Sequence, residues 1–180
     1  CKGYLVRDDN MKPLYMIGCI NEIGERQKAD NISGLLGETG FRQYMNQQDT
    51  PLETGYLLRI GIDHFKEIND NFGQEYGDFV LRKTADCISG CLSEGQKVYK
   101  LVADEFLILD VSSDKVRDAE KLYDKVREAI DRFIEANKFK VMYTVSGGIV
   151  PFGTLGGNQY SEALKLTDFA LNEAKTLGRN

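Results

Sequence analysis

The chain has 180 residues, 42% of them hydrophobic and 28% charged, the composition of a globular protein with one domain of ordinary size and a short appendage. Its net charge of −5 argues against a general nucleic-acid binder, which needs a basic face, but leaves room for a nucleotide site built on two or three local cations. Apolar runs such as Tyr56-Leu57-Leu58 are far too short to span a bilayer.

The opening residues, Cys1-Lys2-Gly3-Tyr4, carry no secretory signal and read like the middle of a domain, so a piece of a longer cytoplasmic protein is expected. Two β-type runs, Gly3–Arg7 and Leu14–Ile20, flank the turn-rich "DDNMKP" and predict a hairpin, followed by a polar linker at Gly24–Lys28. Two strands alone are marginal in water, so this hairpin is expected to belong to a sheet completed upstream. From residue 30 onward helices and strands alternate. "SGLLGETGFRQYMNQ" reads as a helix, "GYLLRIGI" (55–62) as a buried strand, and Phe65–Phe72 and Gln74–Leu92 as helices interrupted at Gly73. Strands at Lys97–Leu101 and Glu105–Asp110 lie so close that only a tight hairpin can join them. Val116, Ala119, Leu122, Val126, Ile130 and Phe133 recur at helical spacing through 115–136, "KVMYTVSGGIV" (140–150) reads as a strand, and a last helix stops at Gly178. The order predicts a mixed α/β domain, one sheet with helices packed on it. Cys1, Cys19, Cys87 and Cys91 are scattered; Cys87 and Cys91, four apart on one helical face, suit packing in a reducing compartment better than a disulfide. A single histidine leaves little scope for zinc.

The residues with most chemical promise lie where strand 55–62 meets the second hairpin. Asp63 falls at a strand end and Asp104 and Glu105 at a hairpin tip, and acids converging from adjacent strand ends are a common way to hold Mg²⁺ for phosphoryl transfer. The helix after Asp63 would offer free amides to a phosphate. Solvated surface acids at strand ends are the competing reading of the same residues.

Five motifs, in order and in register, decide between them. "DNISGLLGETGF" keeps Asp30, Gly34, Leu35 and Phe41 of D-x-L-T-G-L-x-N-R-x-x-F, and "IGIDHFKEINDNFGQEYGDFVL" keeps Asp63, Phe65, Lys66, Asn69, Asp70, Gly73, Gly77, Asp78 and Leu81 of D-x-D-x-F-K-x-x-N-D-x-x-G-H-x-x-G-D-x-x-L. "KLVADEFLIL" stands where R-x-G-G-D-E-F is expected, "TVSGGIV" matches a strand ending in S-x-G, and "ALNEAKTLGRN" matches A-L-Y-x-A-K-x-x-G-R-N. Over residues 30–180 the chain thus resembles the GGDEF domains, the diguanylate cyclases, and residues 1–27 resemble the last two strands and linker of a PAS sensor domain. The resemblance implies a GGDEF domain at 28–180 with a palm-like α+β fold, a central, mainly antiparallel sheet flanked by helices. It also implies the family reaction, in which two facing domains each present a GTP and condense them to cyclic di-GMP. Guanine recognition would fall to Asn69 and Asp78, and triphosphate contacts to the amides around Phe65 and Lys66 and to the side chains of Lys175 and Arg179. Asp104 and Glu105 would be the catalytic acids, and Mg²⁺ would be held by Asp104, the Ile62 backbone and a further acid.

Three departures fall on that chemistry. The further acid is Gly61, which leaves one carboxylate for a cation that favours charged oxygens in octahedral geometry, a loss worth roughly 10²–10³-fold in rate by analogy with removing one transition-state donor. Val102-Ala103 replace the paired glycines; a β-branched residue resists φ > 0, and both side chains are expected to crowd the nucleotide. Lys100 and Gln74 replace an arginine and a histidine, milder changes. At the places of the family's inhibitory R-x-x-D stand Ser93 and Gln96, so no inhibitory site is expected. These departures point to a catalytically impaired, regulatory domain that still binds GTP and acts as a homodimer or beside neighbouring PAS or EAL (phosphodiesterase) domains. An active cyclase is the alternative, and a spacer that binds no nucleotide is a third reading.

Overall fold

The computed structural model describes residues 2–7, 12–19 and 29–178. Strands β1 (Lys2–Arg7) and β2 (Pro13–Cys19) pair antiparallel with each other as a two-stranded sheet. The linker foreseen at Gly24–Lys28 lies outside the described residues.

The main sheet has five strands in the order β3-β5-β6-β4-β7: β3 (Leu36–Gly37), β5 (Gln96–Lys100), β6 (Glu105–Asp110), β4 (Tyr56–Ile62) and β7 (Val145–Pro151). All pairings are antiparallel except β3 with β5, so the sheet is mixed, and with flanking helices the fold is α+β. Every residue of β4 is buried because the strand is bonded on both edges and covered on both faces. Its period-two alternation sorts the core. Leu58, Ile60 and Ile62 point with Phe106 and Ile108 toward α3 (Gln74–Cys91) and α4 (Val116–Ala136). Leu57, with Leu107 and Leu109, points the other way, toward α1 (Glu38–Asn46) and α5 (Gln159–Thr176), where Phe41 and Phe152 complete a second apolar cluster. Helix α2 (Phe65–Phe72) packs on α3 near the end of β4.

Strand β7 lets helices close in on both faces through its two glycines. A Cβ on Gly147 would stand 2.7 Å from the Tyr123 ring of α4, and one on Gly148 2.6 Å from the Ala170 backbone of α5.

Two elements differ from the sequence reading. The strand expected at 140–150 begins only at Val145, because β4, its partner, ends at Ile62 paired with Val145 and then turns into α2. Residues 140–144 continue as irregular chain, anchored by the buried Tyr143, whose hydroxyl lies 3.0 Å from Thr84 Oγ1. The segment read as one helix from Ser33 instead forms the short strand β3 before α1 starts at Glu38. The free edge of β5 captures Leu36 and Gly37, which local periodicity cannot register.

At the far end of β6 the buried Asp110 accepts hydrogen bonds from Ser112 N (2.7 Å), Ser112 Oγ (2.6 Å) and Gln96 Nε2 (2.7 Å). Burial alone would raise its pKa; these bonds outweigh it and hold the carboxyl below its usual value of 3.8. Its contribution to stability is therefore complete above that value and is lost as pH falls through the lower folded-state value. Asp110→Asn should destabilise the protein by roughly 1–2 kcal/mol at neutral pH, and the gap from wild type should shrink below about pH 4 in urea titrations. Gly148→Ala should cost about 1–3 kcal/mol in the same assay, because backbone and not a flexible side chain opposes the new methyl.

Candidate functional site

The site forms where β4, the β5–β6 hairpin, the start of α2 and the last turns of α5 converge. Past Ile62 the chain reverses at His64, a non-glycine residue in the left-handed region (φ 56°), and α2 begins at Phe65. The first turn of α2, with the amides of Phe65 and Lys66, thus opens beside the end of β4.

Asp63 is not part of an acidic cluster with Asp104 and Glu105, contrary to the expectation from strand ends alone. It is buried, and its two carboxylate oxygens accept from Thr144 Oγ1 (2.6 Å) and Ser146 Oγ (2.8 Å) while its own N–H donates to Thr144 O (2.9 Å). These bonds fasten the end of β4 to the start of β7 and to the residue before it.

Asn69 and Asp78, the implied guanine pair, sit on successive helices. Asn69 Oδ1 is buried without a hydrogen-bond partner and lies directly against Gly77, where a Cβ would collide with it. An orphaned buried carbonyl is costly unless a ligand or water completes it. The missing Cβ of Gly77 is what lets the Asn69 amide pack so closely there, one residue from the half-buried Asp78.

At the hairpin, Glu105 N–H donates to Val102 O and Leu101 N–H to Glu105 O. The positive φ falls on Ala103 (52°) and not on Val102, which is 66% exposed; the backbone conformation is thus met by the residue that tolerates it better, and the expected β-branched strain does not arise. What secures the turn is Lys100, 5% exposed, whose Nζ donates to Leu101 O (2.9 Å) and Ala103 O (2.5 Å). Burial pulls the Lys100 pKa below its ordinary value, against the pull of Asp30, Asp104 and Glu105. This lysine, read from sequence as a mild replacement, is the hairpin's internal brace.

The acids at the tip are both engaged by cations. Glu105 is clamped by Arg59 of β4 through Nε (2.7 Å) and Nη2, and the same guanidinium reaches Asp168 Oδ1 (3.1 Å) and Leu164 O (3.1 Å) on α5. Asp104 Oδ2 faces Lys175 Nζ at 3.7 Å. Lys175 lies over Gly61: a Cβ there would be 2.8 Å from Nζ and 3.1 Å from Cε. Arg179, its expected companion, lies outside the described residues. Arg59 was not singled out from sequence, because a lone arginine inside an apolar strand gives no sign of which distant acid it meets; its burial in a hydrophobic run was the available signal.

These residues do not fit an Mg²⁺ ion held in the family's manner. Gly61 brings no oxygen from its side chain, Glu105 is committed to Arg59, and an ammonium stands beside Asp104. Among the described residues no group of three or more acidic, histidine or cysteine side chains is placed to hold a metal. At the inhibitory positions, Gln96 takes Ser93 N–H on Oε1 (2.7 Å) and donates to Asp110, so its side chain is consumed within the fold.

Breaking a buried ion pair leaves an uncompensated charge. Arg59→Leu should therefore destabilise the protein by about 3 kcal/mol, and Arg59→Leu/Glu105→Leu by less than the sum of the single changes, in a double-mutant cycle read by urea denaturation.

A family model described as "Diguanylate cyclase, GGDEF domain" matches residues 27–180. The diguanylate cyclase VdcA of Vibrio cholerae is 28% identical over 155 residues, which cover 84% of this chain and 45% of that protein. The cyclic di-GMP phosphodiesterase NbdA of Pseudomonas aeruginosa is 30% identical over 165 residues, covering 86% of this chain and 20% of that protein. This chain thus spans less than half the length of either relative. Among solved structures, the isolated GGDEF domain of TpbB (YfiN) from Pseudomonas aeruginosa superposes with a TM-score of 0.72 at 26% identity, covering 84% of this chain and 90% of that one.

Proposed function

Because this chain belongs to the GGDEF domain family, we propose that it is a catalytically impaired member, a guanine-nucleotide-binding regulatory domain of a longer cyclic di-GMP signalling protein. The observation that carries the impairment is the state of the three acidic positions. One is Gly61, and the other two, Asp104 and Glu105, face Lys175 and Arg59. Phosphoryl transfer depends on concentrated positive charge at the reacting phosphate, which carboxylate-held metal ions supply. Here the carboxylates are neutralised by side chains of the protein itself.

Nucleotide binding is supported separately by the unpartnered Asn69 Oδ1, held against the side-chain-free Gly77, and by the first turn of α2. A regulatory place in a longer protein accords with NbdA, in which a stretch like this one occupies 20% of a protein named as a phosphodiesterase. Residues 1–27 fit the end of a PAS domain in such an arrangement, with the GGDEF domain at 28–180. No described helix is long and apolar enough to cross a membrane.

Cyclic di-GMP formation and GTP binding, measured on one preparation, test the reading. Turnover should lie at least 10²–10³-fold below the rates of about 1 s⁻¹ usual for enzymes. Turnover at that usual level establishes an active cyclase instead. GTP should bind, and Asn69→Ala should weaken it about tenfold, the worth of one or two base-edge hydrogen bonds, with little change for ATP. An absence of GTP binding reduces the domain to a spacer.

A further inference from the structure

We infer that this site takes the nucleotide's polyphosphate free of divalent metal, with the Lys175 ammonium standing in the place of the cation. The inference rests on the nucleotide-binding reading above and adds the form in which the ligand is taken.

The position of Lys175 depends on Gly61. Only the absence of a Cβ lets Nζ and Cε come down onto the end of β4, with Leu171 Cδ2 completing the contact at 3.2 Å from the same point. The ammonium is oriented but not consumed: Asp104 lies at 3.7 Å, close enough for attraction and beyond an ordinary hydrogen bond. Among the described residues none of its three N–H donors makes a hydrogen bond, so they are open to a ligand. The lysine side chain is 23% exposed, so it is held near the surface of the site and not sealed beneath it.

The surrounding charges favour a free anion over a metal complex. Arg59 cancels Glu105, Lys175 faces Asp104, and Lys100 gives its ammonium to two hairpin carbonyls. The exposed Lys66 in the first turn of α2 adds a further positive charge, and the free amides of that turn favour an anion. A magnesium ion on the polyphosphate would bring two positive charges and a tightly held water shell to a place already occupied by an ammonium. Divalent metal should then compete with the site for the nucleotide, the reverse of its role in a metal-assisted site.

Calorimetric titration of the full chain with GTP, in excess EDTA and in excess Mg²⁺ at matched ionic strength, tests the inference, with guanosine titrated in both buffers as the base-only control. GTP should bind about tenfold more tightly in EDTA, the worth of one charge-assisted hydrogen bond, and guanosine equally in both. Lys175→Met should abolish the difference by weakening only the EDTA arm. Gly61→Asp, which restores a carboxylate and displaces the ammonium, should reverse the sign, so that Mg²⁺ strengthens binding. Wild-type GTP binding that is as tight or tighter with Mg²⁺ overturns the inference and leaves nucleotide binding intact. So does GTP binding no tighter than guanosine. If neither GTP nor guanosine binds in either buffer, the nucleotide-binding reading falls, and this inference with it.

Discussion

Strand β4 is hydrogen-bonded on both edges and buried on both faces, and the site inherits its geometry from that constraint. A strand so enclosed cannot slip by one residue without turning its apolar set inside out. The register that places Leu58, Ile60 and Ile62 against α3 and α4 therefore also fixes Arg59 and Gly61 on the side of α5. Once Arg59 faces α5 beside the start of β6, burial obliges it to find acids there. Glu105, two residues from its own register partner Leu107, answers, with Asp168 beside it.

The same alternation explains why two residues of unlike chemistry act together. Gly61 is the next position on the Arg59 face, and the absence of its side chain admits Lys175 from the end of α5. Helix α5 itself lies close because Gly148 of β7 opposes its backbone without a Cβ between them. A glycine in β7 and a glycine in β4 thus bring one helix near enough for its lysine to reach the strand end. The electrostatic result is a site whose acids are answered from within the fold, by Arg59 from the strand below and Lys175 from the helix above.

Two of the cations at the hairpin, Lys100 and Lys175, divide the work. Lys100 has its donors on backbone carbonyls and stabilises a turn with Ala103 in the left-handed region. Lys175 makes no hydrogen bond among the described residues and faces Asp104 at 3.7 Å. A lysine in place of an arginine and Val102-Ala103 in place of a glycine pair thus still give a braced hairpin tip.

Much of this protein was determined by its sequence alone. The helices and the central strands follow from local periodicity, and the family follows from motifs whose residues stand at fixed short spacings, such as Asp63, Phe65, Lys66 and Asn69. Gly61 and the Val102-Ala103 pair were equally visible, as departures at defined places in those motifs. Only the tertiary structure decided what each departure does. Arg59 and Glu105 are 46 residues apart, and Gly61 and Lys175 meet only when α5 packs on β4. It also decided that Asp63 is taken by the hydroxyls of Thr144 and Ser146, that residues 140–144 have no strand to pair with, and that Leu36–Gly37 form an edge strand on β5. The physical reason is common to all of them. Periodicity and motif spacing report which face and which turn a residue occupies. Its partner depends on which other elements the sheet order and the close approach of helices bring against that face.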